Sequence, residues 1–374
     1  MQRLIIVSLL TLASLPATAA TFTVACGSGG PLSQVQNQLS AMANGDALTV
    51  TGTCVGGTLA ITRRDSLSIV GLSMRGDLRL TAATHISFSG LTLTGSLSAA
   101  DHSSLGASNT VLNGGIQIIG NSSVAFDTLT ITQTYDPNST LAGSGIVCLQ
   151  GSDCRFSATT VSGTPSGDPL SPSIGIQAAS ASRFNFGSGR ITGFDQGVHV
   201  WNHATAFFNP DCDSLVIDSN KSIGVYVRDG GTVKLEGLTP PISGSCWGIV
   251  IIANNGNYGL LAEGGGLGFL YRAQVQGHAI DGIRVQSGSV VKVRSSAIDA
   301  ATGTGRSAWV KSQSHLWFDE EVYGPSASTT LAGPVCVTNN SSVDTDNSAT
   351  MPTTTASCGT TEPLVFTTRP KAPL

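Results

Sequence analysis

The chain has 374 residues, of which only 11% are charged, with 45 glycines and a formal net charge of −4. So weak and slightly acidic a charge leaves no electrostatic footprint for nucleic acid, and no nucleic-acid partner is expected. Abundant glycine, with Ser, Thr and Asn filling the intervening segments, suits a fold of many short strands and many turns.

The chain opens Met1-Gln2-Arg3, continues through an apolar run from Leu4 to Leu15, and then reads Pro16-Ala17-Thr18-Ala19-Ala20. One basic residue, an apolar run too short to span a bilayer and a small-residue site read as a secretory signal over 1–20. The expected mature chain is secreted or periplasmic, has no membrane span and is monomeric. All eight cysteines lie beyond the signal. An even count in an exported chain points to disulfides, and the expected pairs join sequence neighbours: Cys26 with Cys54, Cys148 with Cys154, Cys212 with Cys246, and Cys336 with Cys358. No CxxC is present, which argues against zinc or redox chemistry.

After a short strand at Thr21–Ala25, residues 31–45 carry apolar side chains at Leu32, Val35, Leu39 and Met42, with Gly45 following. Spacings of three and four predict a short amphipathic helix, whose role is to cap the open end of a stack of strands. Alternating strands follow at 47–54, 59–62 and 67–72. The helix, Gly45-Asp46, the turn with Val50, Gly52 and Cys54, and the strand with Leu67, Ile69, Gly71 and Leu72 resemble the entry to a right-handed parallel β-helix of the pectin-lyase-like superfamily. The resemblance implies an all-β solenoid, one domain over 21–348 with a C-terminal tail or cap over 349–374. It is a resemblance of repeat pattern, so it implies a fold and not an activity.

The repeat itself reads glycine, branched apolar, any residue, apolar. Gly115-Ile-Gln-Ile, Gly145-Ile-Val-Cys, Gly175-Ile-Gln-Ala, Gly197-Val-His-Val, Gly224-Val-Tyr-Val, Gly248-Ile-Val-Ile, Gly259-Leu-Leu-Ala and Gly282-Ile-Arg-Val all fit. None of these strands could bury its apolar face alone, so the copies must stack. A second strand per coil shows in His85-Ile-Ser-Phe, Arg183-Phe-Asn-Phe and Val290-Val-Lys-Val, and a third in Leu91-Thr-Leu-Thr and Leu129-Thr-Ile-Thr. Early coils recur at roughly twenty residues, and later ones are longer, which places inserts at Gln133–Ser144, Gly163–Ser173 and Leu238–Cys246 as walls along one face. Gly248 and Gly259 stand too close together for both to open a first strand.

Strand alternation turns the residue after each glycine inward and the next outward, and stacking aligns outward residues about 4.8 Å apart. One outward column then holds Gln117, Val147, Gln177, His199, Tyr226, Val250, Leu261, Arg284 and Val310. The next holds Trp201, Arg228, Ile252, Glu263 and Gln286. Substrate-binding candidates are Gln177, His199, Trp201, Tyr226 and Gln286, because aromatic faces stack on sugar rings and amides bond hydroxyls. The competing reading is a solvated sheet braced by aromatic and cation-π pairs.

A glycoside hydrolase would need two carboxylates about 5 to 10 Å apart, for which Asp195, Asp229 and Glu263 are the candidates. A lyase would abstract a proton beside a uronate carboxylate. The superfamily resemblance implies an Arg or Lys base with calcium as cofactor, and Arg228 or Arg284 would stand there. The motifs of polygalacturonase-like members are absent; Gly277-His278-Ala279 comes nearest. His199 and His203, four residues apart on a strand, would stand about 13 Å apart, so no metal centre is expected. The sequence therefore points to an exported solenoid that binds or processes an extracellular polysaccharide, with a non-catalytic, adhesin-like surface solenoid as the alternative.

Overall fold

The computed structural model describes residues 19–136, 141, 143–210, 213–237, 248–299, 301–303, 305–319, 329–345 and 366–368. The fold is all-β with one helix among these residues. From Ile146–Cys148 to His315–Asp319, each strand pairs in parallel with the strand three elements further along the chain. Three columns of strands result. The first runs through Ile174–Ala178, Gln196–Val200, Ile223–Arg228, Tyr258–Glu263, Asp281–Val285 and Arg306–Val310. The second includes Arg183–Phe186, Thr205–Phe208, Thr232–Glu236, Leu267–Tyr271 and Val290–Arg294. The third includes Gly189–Thr192, Ser214–Asp218, Ile249–Ala253 and Ala273–Gln276.

Alternation fills the interior with one residue type per row. Ile176, Val198, Val225, Leu260, Ile283 and Ala308 are all fully buried in the first column. The second column contributes a ladder of rings, with Phe126 and Phe156 stacked at 5.5 Å between centroids and Phe156 and Phe184 at 5.2 Å. Offset stacking at such distances adds to the burial of each ring.

The repeat glycines are required by crowding and not by a left-handed turn. A Cβ on Gly197 would come within 2.7 Å of the Asn220 amide, on Gly224 within 2.6 Å of the Asn255 amide, and on Gly259 within 2.6 Å of His278 Nε2. These are buried polar side chains in the bend between the third column and the first. Asn220 Nδ2 donates to Asn255 Oδ1 at 2.9 Å, and Asn255 Nδ2 donates to the Ile217 carbonyl at 3.1 Å. The glycine leaves room for a polar ladder that satisfies the backbone of the bend.

The helix Ser33–Ala41 covers the first tiers, with Val35 and Leu39 buried. Gln36 acts as a substitute strand: its Nε2 donates to the Ala60 carbonyl at 3.0 Å, and its Oε1 accepts from the Ala60 N–H at 2.9 Å. Arg64 donates to the Met42 and Ser40 carbonyls at 2.9 and 2.8 Å, which satisfies the helix C-terminus. The helix ends at Met42, and Gly45 lies beyond it in a turn at φ 90°. Cys26 pairs with Cys54 and Cys148 with Cys154, as expected. Cys336 is also disulfide-bonded. Cys212, Cys246 and Cys358 lie outside the described residues, as do most of the tail and the insert at 238–246, whereas Phe366–Thr368 pairs in parallel with Ser342–Thr345. Two disulfides fit an oxidising compartment. No described helix is long and apolar enough to cross a membrane.

Two outcomes follow from this packing. Gly224→Ala should lose about 1–3 kcal/mol in denaturant unfolding, because its Cβ meets both Asn255 and the Gly259 carbonyl; an unchanged midpoint would remove the crowding argument. Cys26→Ser with Cys54→Ser should cost about 2–4 kcal/mol in the same measurement, since the bond closes the N-terminal loop of the unfolded chain.

Candidate functional site

Parallel register lines up Gln117, Val147, Gln177, His199, Tyr226, Leu261, Arg284 and Trp309 as one outward row of the first column. Three members of the sequence-derived rows are corrected. Gly248 precedes a third-column strand, so Val250 and Ile252 point into the core of that column and are fully buried. Val310 is likewise fully buried, and Trp309 takes the outward place opposite Arg284. Ser307 occupies the position of the repeat glycine there, opposite Gly282, which hid the register. The flanking outward rows are Gln196, Ile223, Tyr258, Asp281 and Arg306 on one side and Trp201, Arg228, Glu263, Gln286 and Lys311 on the other.

His199 is 6% exposed although it faces outward, because its neighbours cover it. Its ring stacks on Tyr226 at 4.6 Å between centroids, and Arg228 Nε donates to its Nε2 at 3.1 Å. Arginine cannot accept, so the imidazole carries its proton on Nδ1 and is neutral. Burial, and then the Arg228 charge, push its pKa down to about 3. The Arg228 guanidinium also lies 5.2 Å from the Trp201 ring centre and 5.5 Å from that of Tyr226. Asp229, exposed in the following turn, stands 3.6 Å from Arg228 Nε.

One tier further, the Tyr226 hydroxyl donates to Glu263 Oε1, and Gln286 Nε2 donates to Glu263 Oε2 at 2.6 Å. Burial and the bond to Glu263 raise the phenol well above its ordinary range. Beyond them sits a charged cluster around Trp309. Arg284 and Arg306 each place their guanidinium carbon 4.5 Å from its ring centre, and Lys311 places its ammonium at 5.0 Å. Arg306 Nε donates to Asp281 Oδ1 at 2.7 Å, and Arg284 Nη1 stands 3.8 Å from Oδ2 while donating to the Tyr258 hydroxyl. The Asp281 carboxylate has no exposed surface. Burial raises its pKa, against the pull of Arg306 and Arg284. Lys311 is lowered by burial and by Arg284.

The three carboxylates read as hydrolytic candidates are thus separated in role. Asp195 is buried, and its Oδ2 accepts from the Ser166 N–H and hydroxyl at 2.8 and 2.6 Å and from the Ser173 N–H and hydroxyl at 2.8 and 3.0 Å. Burial alone would raise its pKa, but these hydrogen bonds outweigh it and lower it. Asp195 is the clamp of the insert at 163–173. Asp229 and Glu263 lie on adjacent tiers, since Arg228 pairs with Glu263 in register. Gln177 belongs to the row but is tied into none of these networks. Tyr258, Arg306, Trp309 and Lys311 were not singled out by sequence reasoning; the small Ser307 at a glycine position was the signal that could have found the last three. No family model matches this chain, and no curated protein matches it in sequence.

The depressed pKa of His199 makes stability depend on pH with a definite sign. The unfolded imidazole takes a proton below about 6.5 and the folded one only near 3, so the unfolded state binds more protons between those values. Its contribution is complete above pH 6.5 and falls as the pH drops through that window. His278, also buried and lowered, acts in the same direction. The wild-type melting temperature should therefore fall between about pH 7 and pH 5, and His199→Gln should flatten that fall; parallel profiles would show that the folded imidazole takes up its proton at the same pH as the unfolded one.

Proposed function

We propose that the chain is an exported right-handed parallel β-helix whose first column binds an extracellular polysaccharide of the uronate class across the tiers from Gln177 to Lys311. The n to n+3 parallel pairing and the repeat pattern support the β-helix. The apolar leader at 4–15 and the disulfides support export. The observation that carries the binding reading is the cluster at Trp309, where three cations, Arg284, Arg306 and Lys311, gather around one indole and the two arginines reach the buried Asp281. Glu263, next along the face, is already held by Tyr226 and Gln286. Guanidinium forks pair with carboxylates and an indole face stacks on a pyranose ring, so an acidic sugar matches both components.

If the bound chain is cleaved, elimination suits these side chains better than hydrolysis, because Asp195 is spent on the insert and Asp281 is buried. Lys311, its pKa lowered, would take the proton from the carbon beside the uronate carboxylate, whose charge Arg284 and Arg306 would neutralise. The freed electron pair would form the carbon–carbon double bond as the glycosidic bond to the leaving oxygen breaks. The second reading, a non-catalytic surface solenoid, is favoured by the mutual bonding of Arg228 with His199 and of Tyr226 with Glu263.

Affinity electrophoresis of the purified chain in polygalacturonate, alginate and neutral xylan, with ultraviolet absorbance followed for unsaturated ends, separates these outcomes. Retention by the acidic polymers, weakened by salt and by roughly tenfold or more in Arg284→Ala and Trp201→Ala, is expected from ion pairing and stacking. Equal migration in all three gels would discard the acidic-glycan reading in favour of the surface solenoid. Retention without unsaturated ends would leave a binding protein.

A further inference from the structure

The outer surface of the second column carries a cavity of about 560 Å³ that the sequence analysis did not single out. Its floor is Phe207, a half-buried ring flanked in register by Asn185 on one tier and Lys234 on the next. Asn209, Asp213 and Glu236 complete the polar part of the wall. The volume falls within the ordinary range of small-molecule sites, about 300–1,000 Å³.

The polar groups around this ring are unspent. Among the described residues, the side-chain amides of Asn185 and Asn209 have no hydrogen-bond partner, and neither Lys234 nor Glu236 is in an ion pair. Asp213 accepts only a long bond from the Ser188 hydroxyl, at 3.4 Å. The Lys234 ammonium rests 5.3 Å from the Phe207 ring centre and 5.6 Å from that of Phe269. Further along the same column the equivalent lysine behaves differently. Lys292 also lies over a ring, Trp317 at 4.3 Å, but it is tied to Asp319 at 2.7 Å. Lysine-on-aromatic packing is thus a general brace of this sheet, whereas free donors and acceptors around the ring are particular to the cavity.

We infer that this cavity is a second ligand site, separate from the cationic face, which takes a neutral pyranose residue stacked on Phe207. The charges decide against an anion. Arg155, at the cavity edge, is paired with Asp153 at 2.8 Å, which leaves one ammonium against the two carboxylates Asp213 and Glu236. A uronate or phosphate would meet those carboxylates, while sugar hydroxyls donate to them and accept from Lys234 and the two amides. The apolar face of the pyranose covers the ring that water now touches.

The test is saturation-transfer-difference NMR on the full chain with cellotriose, maltotriose and mannotriose at millimolar concentration, and trigalacturonate as the acidic probe. At least one neutral probe should receive saturation on its ring protons. Phe207→Ala should reduce that transfer by roughly tenfold, as expected for loss of the stacking floor, and Glu236→Gln by severalfold, while Arg284→Ala on the other face leaves it unchanged. Circular dichroism checks that each variant keeps its strands, and Glu236→Gln, an isostere at a half-buried strand end, keeps the test open if Phe207→Ala does not fold. No transfer to any neutral probe, or transfer indifferent to both variants, overturns the assignment; so does trigalacturonate outcompeting the neutral probes in a Phe207-dependent way. Because the site shares no residue with the Trp309 cluster, its failure and the failure of the acidic-glycan reading are read from different variants.

Discussion

From Ile146 to Asp319, a strand satisfies its backbone through the tiers before and after it, because its partners lie three elements away in sequence and not in its own tier. That constraint governs nearly everything else. The tiers must stay in register over the length of the stack, so side chains in one row are of one kind: glycine at the crowded bend, aliphatic or phenyl inside, polar outside. It also leaves an end that must be closed, and the helix at the N-terminal end does so with both apolar cover and the Gln36 amide, which imitates a neighbouring strand. Edges left open would invite pairing with another chain.

In-register stacking converts a sequence period into a surface row. Arg284, Trp309, Tyr226 and His199 are scattered over more than a hundred residues, yet they face the same way at successive tiers. Adjacent rows lie close enough that side chains bridge them. Arg228 reaches across to His199, and Gln286 and Tyr226 hold opposite oxygens of Glu263. Such bridging fixes rotamers, so the groups that remain are presented by a rigid surface, and less ordering entropy is lost when a ligand binds.

The all-β class and the repetition of short parallel strands were legible because their signals are local and repeated. Glycine, an inward apolar residue, an outward residue and another inward residue suffice to set the first column, and the phenylalanine pairs set the second. Two disulfides followed from nearest-neighbour pairing. What could not be read were quantities that depend on which tier lies beside which. Gly248 has the repeat's form but stands in the third column, and only the backbone register distinguishes it from Gly259. Ser307 breaks the form while keeping the place, which moved the outward position from Trp309 to Val310. Asp195 stood among the hydrolytic candidates, and its true neighbours, Ser166 and Ser173, are brought to it by the fold of the insert. The cavity at Phe207 was invisible for the same reason, since Asn185, Phe207 and Lys234 carry no shared motif.

The two outer faces use the same residue kinds and differ in how their charges are paired. On the first column, Arg284, Arg306 and Lys311 crowd one indole, and the two arginines reach the buried Asp281. On the second, Lys292 and Arg294 both approach Asp319. At the cavity the balance tips the other way, with Asp213 and Glu236 outnumbering the one unpaired ammonium. Stacked aromatic rings are common to all three places and cannot by themselves select a ligand. On the two proposed sites, selection between an acidic and a neutral sugar would rest on the carboxylates: buried and paired, as at Asp281, they would leave room for an anion, and unpaired, as at Glu236, they would repel one.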